Sequence, residues 1–415
     1  MKNRFFSADD IPLALMYAVR LLYPYRPFLD DYIQYHVYSL HNNPIRNIYF
    51  GIGLFAARPV ASFLDIALWS HFWGNLGVLY ILFSVLYLAF LFLLRHFAQG
   101  LGIRLGNVFM YLSALCPINI EATAWLSAST RIVGGLFFSV LCIILISEKR
   151  NPTKMTAFVL INFISYCFYE QTAIFCLVCV CFAAVTKKRK FYFVAALFNM
   201  ALLGAWYLCF SKYSVFGYRT VISLENFAHF PLEFSKALRA VFYTFADAGA
   251  LLFIVPPIFA ALWLKGCDFA AASRNKILFG ISVAVFSLVP IAASGGNVPF
   301  RCLTVPLIGI FVLFDCIGGR VRKIFFCGVC SLFVVVSINE FCNYYKSTVI
   351  DEKVLNGLCE KIVQGVDYDL NDAPIYYFNS PSNHAEHISA VTSSDWALTG
   401  AVRALLNDAD FPMID

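Results

Sequence analysis

Charged residues are scarce in this chain, since Lys, Arg, Asp and Glu together make up only 13% of its 415 residues. Soluble domains carry about 25% charged residues, so the deficit excludes an ordinary soluble enzyme. Hydrophobic residues reach 60% and the mean hydropathy is +0.72. The net charge of +6 is modest, and the sequence predicts no nucleic-acid partner. The composition indicates an integral, multi-pass protein whose first partner is the lipid bilayer.

Signals for a metal centre are also missing. The 14 Cys fall mostly inside apolar runs, and the pairs Cys176/Cys179 and Cys327/Cys330 lack the second Cys or His pair that a zinc site needs. We therefore interpret these cysteines as small apolar filler. The sequence predicts no metal site and no certain cofactor, and it leaves the participation of a divalent cation open. A fixed-period repeat and a signal-peptide cleavage site are likewise missing, so we expect the first apolar stretch to remain as an anchor.

The apolar runs predict an all-α polytopic fold with about 11 transmembrane helices. The predicted spans are residues 11–28, 73–94, 105–116, 132–146, 155–169, 172–185, 191–210, 251–264, 277–293, 302–317 and 324–341. The first is marginal because Arg20 interrupts it. Residues 49–69 mix apolar and polar positions, which favours interfacial helices in the first external loop. Residues 211–247 are expected to form an external connection.

Basic residues between the spans set the expected orientation. The block KKRK at residues 187–190 is the strongest such cluster, and cytoplasmic loops retain Lys and Arg. This places the amino terminus in the cytoplasm and the carboxyl terminus outside, in the plasma or inner membrane. Two units are predicted: a transmembrane module over residues 1–342, and a small extracytoplasmic tail over 343–415. Within the tail, residues 374–378 read as a short β-like run and residues 396–406 as a helix.

Polar residues collect at the outward ends of the predicted spans. They are Asp30, Asp31, Glu121, Arg131, Glu170, Gln171 and Arg301. Acids at the mouth of a hydrophobic protein are costly unless water, a partner or a substrate uses them. The arginine fork suits a phosphate, and a carboxylate can deprotonate an acceptor hydroxyl. If these residues converge, they indicate group transfer from a lipid-phosphate carrier at the outer membrane face.

Four segments of the chain carry a family resemblance. Residues 28–32 (FLDDY) resemble the acidic pair in the first external loop of the GT-C membrane glycosyltransferases. Residues 116–131 resemble the "HP…EAVAWISGR" segment of the tetratricopeptide-type protein O-mannosyltransferases, with Cys116 in place of the His. Residues 169–172 (YEQT) are similar to their "KEQG" segment, and residues 300–306 (FRCLTVP) to their "ERYLYLP" segment. The acidic pair followed by Arg58-Pro59 also looks like bacterial O-antigen glucosyltransferases.

The resemblance implies a GT-C-like bundle that transfers a sugar from a polyprenyl-phosphate carrier to a hydroxyl on a glycan, lipid or protein, with inversion. It implies that Asp30 is the catalytic base, with Asp31 as its close competitor or orienting partner. Arg301 and Arg131 are then expected to bind the donor phosphate. A supporting role falls to Glu121, Glu170, Gln171 and Arg58.

Other functional classes fit parts of the same pattern. A multi-span transporter or flippase of lipid-linked glycans is the main alternative, although such proteins usually show internal duplication and broken helices. A polysaccharide polymerase or O-antigen ligase would rest on a large late external loop, and residues 211–247 are short for that. A non-catalytic membrane scaffold is the third alternative. Each arginine also has a structural interpretation as an anchor at a helix end.

Overall fold

The computed structural model describes residues 10–47, 58–147, 152–213, 223–249, 274–294, 298–316, 321–365, 391 and 395–414. Every regular element in these ranges is helical. The longer helices are Ile11–Ala18, Pro59–Ala67, Leu76–Gly100, Asn107–Leu115, Leu126–Ser147, Pro152–Tyr166, Glu170–Lys187, Lys190–Tyr213, Leu224–Asp247, Arg274–Phe286, Phe300–Phe314, Val321–Val363 and Asp395–Leu406. The prediction of an all-α protein is therefore confirmed for the described part of the chain.

Five helical stretches in the described ranges are long and apolar enough to cross a membrane. They are Trp69–Gly100, Leu126–Ile146, Glu170–Lys187, Arg274–Ala293 and Phe326–Val363. Shorter apolar helices cover Ile11–Leu22, Lys190–Trp206 and Phe300–Phe314. These stretches indicate a membrane protein, and about 11 spans stays a prediction. The predicted third span is the nine-residue helix Asn107–Leu115, which is too short to cross a bilayer, and residues 251–264 lie outside the described part.

The first apolar helix is shorter than predicted. It runs from Ile11 to Ala18 and continues as a 3₁₀ turn to Leu22, so the predicted span 11–28 is wrong at its carboxyl end. Pro24 and Pro27 explain the early stop, because proline lacks the N–H that a helix interior needs and biases the preceding residue away from helical geometry. The chain leaves the helix at Leu22 and reaches Asp30 through irregular backbone.

The predicted external connection 211–247 is largely helical in the described part of the chain. The helix Lys190–Tyr213 reaches past residue 210, and Leu224–Asp247 forms a 24-residue helix. The Ser223 hydroxyl begins that helix by accepting a hydrogen bond from the backbone N–H of Asn226 (3.1 Å), the usual N-cap arrangement. The Asn226 side chain also donates to the carbonyl of Ala293 (3.0 Å), so this helix is packed against the bundle rather than running free.

Ion pairs hold the end of the bundle that lies away from Asp30. Arg95 donates two hydrogen bonds to Asp10, both of 2.8 Å, and so joins the start of the first helix to the last turns of Leu76–Gly100. Lys276 pairs with Asp315 at 2.6 Å. Both pairs are almost fully buried, and breaking such a pair by removing one partner strongly destabilises a fold. They fix the ends of four helices, one of which, Phe300–Phe314, carries the candidate site residue Arg301 at its opposite end.

The carboxyl-terminal part of the chain packs onto the rest. The helix Val321–Val363 has 43 residues, about 65 Å at 1.5 Å per residue, and runs through the boundary predicted between residues 342 and 343. The predicted helix at 396–406 is confirmed as Asp395–Leu406, whereas residues 374–378 lie outside the described part. Gly400 of this last helix lies directly against Ile33, three positions after Asp30.

Candidate active site

The acidic pair opens a short helical segment, residues 30–40, which we call the Asp30 helix. It begins as a helical turn at Asp30–Tyr32, widens into a π turn at Ile33–Val37 and closes at Tyr38–Leu40. Leu29, just before it, has φ +42°, a backbone conformation that costs a non-glycine residue about 1–3 kcal/mol. Strained residues and π turns concentrate at functional sites. The sharp bend at Leu29 sends Asp30 and Asp31 into different surroundings.

Asp31 is fully buried and acts as a helix cap. Its carboxylate accepts a hydrogen bond from the Tyr25 hydroxyl and another from the backbone N–H of Ser127 (3.0 Å). The same tyrosine oxygen accepts from the backbone N–H of Leu126 (3.1 Å). Two otherwise unpaired N–H groups at the start of the helix Leu126–Ser147 are thus satisfied. Burial raises the pKa of Asp31 well above its ordinary value, against the effect of these hydrogen bonds.

Asp30 lies in a different environment. Asp30 is partly accessible to solvent even though protein atoms surround it closely. No described residue donates a hydrogen bond to its carboxylate. Burial raises the pKa of Asp30, and the guanidinium groups of Arg301, Arg131 and Arg58 oppose that increase. Three arginines that are remote in sequence therefore act electrostatically on this one acid.

Each of the three arginines is paired with its own acid. Arg301 contacts Glu121 at 2.8 Å, Arg131 contacts Asp65 at 3.1 Å and Arg58 contacts Glu170 at 3.5 Å. The pairs come from five segments of the chain and meet around Asp30. Among the described carboxylates of this group, Asp30 and Asp31 form no ion pair with an arginine, but Asp31 is fully buried and already accepts two hydrogen bonds, whereas Asp30 is partly accessible. Asp30 is consequently better placed than Asp31 to accept a proton from a substrate.

The three arginines differ in accessibility. The Arg131 side chain is 8% exposed and is tied to the Gln34 side-chain oxygen (2.8 Å) and the Ser127 carbonyl as well as to Asp65. The side chains of Arg58 and Arg301 are 32% and 25% exposed. Arg131 therefore holds the Asp30 helix against the helix Leu126–Ser147, whereas the other two can reach a ligand. The geometry favours Arg58 over the sequence-based choice of Arg131 as a phosphate-binding residue.

Aromatic rings orient the two exposed guanidinium groups. The Arg301 guanidinium lies over the Trp125 ring, 5.1 Å from its centroid, and the Arg58 guanidinium lies over the Tyr169 ring at 4.6 Å. A cation over a ring face is attracted by the ring quadrupole. Together with the carboxylates, the rings hold each arginine in one direction before any ligand arrives.

Gln171 is a buried residue that connects two segments of the candidate site. Its amide nitrogen donates to the carbonyls of Cys302 (2.6 Å) and Ser287 (3.1 Å). One buried side chain thus fixes the start of Glu170–Lys187 next to the residue that follows Arg301. This bond is consistent with the predicted supporting role of Gln171.

Two residues of the site were missed by reasoning from sequence. Asp65 lies on the buried face of Pro59–Ala67 together with Ala61 and Ser62, and burial raises its pKa to about 6 although Arg131 opposes the shift. The sequence signal that could have identified Asp65 was an acid on the apolar face of an amphipathic helix. Tyr38 is near Asp30, Arg131 and Asp65, but only the π turn brings it there. A straight α-helical reading of residues 30–40 would not predict that position.

The comparisons add no further identification. No protein-family model, no curated protein and no solved structure matches the chain. Among the residues described here, no three His, Cys, Asp or Glu side chains are grouped so that they could hold a metal ion. The positions of the predicted site residues relative to one another are therefore the main observation on function.

Proposed function

We propose that this chain is an integral-membrane glycosyltransferase of the GT-C type, which moves a sugar from a polyprenyl-phosphate carrier to an acceptor hydroxyl on the extracytoplasmic side. The observation that carries the proposal is the convergence of Arg58, Arg131 and Arg301 on Asp30. A transporter would require its polar residues along a pathway near mid-span. Here they gather where several helices begin.

In the proposed step, Asp30 accepts the proton of the acceptor hydroxyl as its oxygen attacks the anomeric carbon of the donor sugar. The bond from that carbon to the phosphate oxygen breaks, and its electron pair leaves with the lipid phosphate. Arg301 and Arg58 stabilise the negative charge that develops there. Attack opposite the leaving phosphate inverts the anomeric centre. Holding both substrates in line contributes most of the rate enhancement that such a site can provide.

The proposal includes a bundle of about 11 spans with the amino terminus in the cytoplasm. The chain direction supports an arrangement in which Leu126, Glu170 and Phe300 begin helices at the Asp30 end, and Lys187 lies at the other end of its helix. A cysteine introduced at Gly357, an exposed position on the carboxyl-terminal extension, should react with an impermeant thiol reagent added outside cells. One at Thr186 should not, and the reverse pattern would invert the orientation.

The activity is tested in membranes that contain the protein and a radiolabelled polyprenyl-phosphate sugar. Asp30→Asn should abolish transfer while expression and donor binding stay at wild-type levels. Asp395→Asn is the matched control, because Asp395 is an exposed acid on the last helix and should transfer at the normal rate. Near-native turnover by Asp30→Asn and Asp31→Asn together would remove the catalytic assignment. Comparing the glycans of cells with and without the protein would then identify sugar and acceptor.

A further inference from the structure

Tyr38 carries a phenol group next to Asp30, the proposed base. The catalytic step described above does not use this phenol. It is partly exposed, and no described residue forms a hydrogen bond with its hydroxyl group. Its electrostatic neighbours are Asp30, Arg131 and Asp65. A phenol can both donate and accept a hydrogen bond. Tyr38 and Asp30 are therefore neighbours, and both are partly accessible to solvent.

The π turn explains why Tyr38 faces the site. Two turns of α-helix take about seven residues, whereas two turns take about eight when one of them is a π turn. Asp30, Gln34 and Tyr38 are spaced four and eight positions apart and therefore lie on one face of the Asp30 helix. The bond from Arg131 to Gln34 (2.8 Å) and the proximity of Arg131 to both Asp30 and Tyr38 agree with that alignment.

The neighbouring tyrosines of the Asp30 helix are already engaged. Tyr35 is fully buried and shares a hydrogen bond with the Thr130 hydroxyl (2.9 Å). Tyr32 is buried and packs edge-on against Trp73, with ring centroids 5.7 Å apart. Tyr38 differs from both because it is only partly buried and no described residue forms a hydrogen bond with its hydroxyl group. Burial and Asp30 raise the pKa of Tyr38 to about 12, so the phenol stays protonated at neutral pH and remains a hydrogen-bond donor.

We infer that Tyr38 is a substrate-binding residue whose hydroxyl group forms a hydrogen bond with a carbohydrate hydroxyl at the reaction centre beside Asp30. This inference rests on the proposed function. The hydroxyl can come from the donor sugar or from the acceptor, and the chemistry of recognition is the same for both.

The test is Tyr38→Phe, which removes one oxygen atom and leaves the ring in place. Its kcat/KM for transfer from a polyprenyl-phosphate sugar should fall about 10- to 100-fold, the usual effect of losing one hydrogen bond near charged groups. Tyr243→Phe is the matched control, since Tyr243 is an exposed phenol that contacts Arg239 far along the chain, and it should keep the wild-type value. Equal turnover by the two variants, with an active wild type, would overturn the inference and leave the glycosyltransferase proposal standing.

A second measurement does not need turnover. Hydroxyl-radical footprinting should oxidise the ring of Tyr38 but not that of Tyr35 in the purified protein, as read by peptide mass spectrometry. Protection of Tyr38 by the polyprenyl-phosphate sugar alone assigns the bonded hydroxyl to the donor. A loss of kcat/KM without such protection assigns it to the acceptor. If the wild type transfers no sugar, the proposed function fails. The binding role of Tyr38 is then tested by protection alone. Protection of Tyr38 by the donor would uphold that role, and lack of protection would remove it.

Discussion

Arg301 and Glu121 are 180 positions apart in the sequence, yet one carboxylate oxygen of Glu121 accepts hydrogen bonds from both the backbone N–H of Arg301 (3.3 Å) and its guanidinium Nη1 (2.8 Å). The Glu121 side chain is completely buried, whereas a quarter of the Arg301 side chain is exposed. Charge-assisted bonds of this kind fix direction as well as position. The buried acid therefore sets the orientation of an arginine that faces Asp30 from another helix.

Glu121→Gln should separate this orienting role from simple packing. Glutamine keeps the size and one acceptor oxygen but removes the negative charge, so Arg301 loses its counterion inside the protein. We expect the transfer rate to fall about tenfold or more. The matched control is Glu225→Gln, because the Glu225 side chain is 81% exposed and its neighbour His229 is 3.9 Å away. Equal rates for the two variants would contradict the role assigned to Glu121.

Asp31→Ala should act mainly on stability. It removes the acceptor for the Tyr25 hydroxyl and for the Ser127 N–H, and each buried donor left without a partner costs about 1–3 kcal/mol. We expect a clearly lower thermal midpoint in detergent. Asp30→Ala is the matched variant, and its free energy of unfolding should stay within about 0.5 kcal/mol of wild type while its transfer activity disappears. A stability loss of the same size in both variants would show that the two acids do not have the separate roles described here.

Sequence reasoning selected residues that the structure brings together, whereas it misplaced several helix ends. Paired acids, span ends and basic loops were enough to select Asp30, Glu121, Arg131, Glu170 and Arg301, because ionisable groups next to apolar runs must be paired or used. The partners of these residues were not predictable, since each pair joins segments that are 66 to 180 positions apart. The ends of the helices depend on single residues such as Pro24 and Pro27. A hydropathy average over many residues does not show the effect of such a residue.

Asp65 and Tyr38 are two residues of the candidate site that reasoning from sequence did not predict. The ion pair between Asp65 and Arg131 places the short helix Pro59–Ala67 against a long one, although residues 49–69 were expected only to lie along the interface. The π turn at Ile33–Val37 changes which residues share a face. Neither the pairing of distant helices nor a single wide turn leaves a periodic signal in the sequence.

The pH dependence of transfer should report on Asp30. A general base must be ionised, so the rate should rise with pH as Asp30 loses its proton, with a midpoint above the ordinary carboxyl value of about 4, because burial raises the pKa of Asp30. Arg58→Gln removes one of the three charges that oppose the increase, and we expect the acid limb of kcat/KM to move to higher pH. The control is Arg239→Gln, on the exposed side of Leu224–Asp247. A midpoint unchanged by Arg58→Gln would argue that another group controls the rate.

Asp65 should give the stability of the protein a measurable pH dependence. Its pKa rises from 3.8 to about 6 on burial, so between these two values the folded chain binds a proton that the unfolded chain has already lost. The contribution of Asp65 to the free energy of unfolding is fully present below that window and falls as the pH rises through it. In Asp65→Asn the thermal midpoint should therefore change less between pH 4 and pH 6 than it does in the wild type. Asp395→Asn, as an exposed control, should keep the wild-type slope, and a matching slope in Asp65→Asn would contradict the assignment.

The contact between Gly400 and Ile33 joins the last helix to the Asp30 helix. A Cβ atom built on Gly400 would lie 2.3 Å from Cγ1 of Ile33, a distance that two carbon atoms cannot adopt without movement. Gly400→Leu should therefore displace either Asp395–Leu406 or the Asp30 helix, and should lower the transfer rate as well as the thermal midpoint. Gly357→Ala is the matched control, since nothing lies within 4 Å of its Cβ position, and replacing a helical glycine by alanine should stabilise the protein by about 0.5–1 kcal/mol.

Ile33→Ala should compensate for the steric clash that a side chain at position 400 creates. Combined with Gly400→Ala, it removes both of the Ile33 atoms that a new Cβ would meet, at 2.3 and 2.7 Å. The double variant should transfer sugar faster than Gly400→Ala alone, because the last helix can again pack close to the acidic pair. Coupling of this kind between directly contacting residues is typically 0.5–3 kcal/mol in a double-mutant cycle. Strictly additive effects on both rate and stability would mean that the carboxyl-terminal helix does not position Asp30.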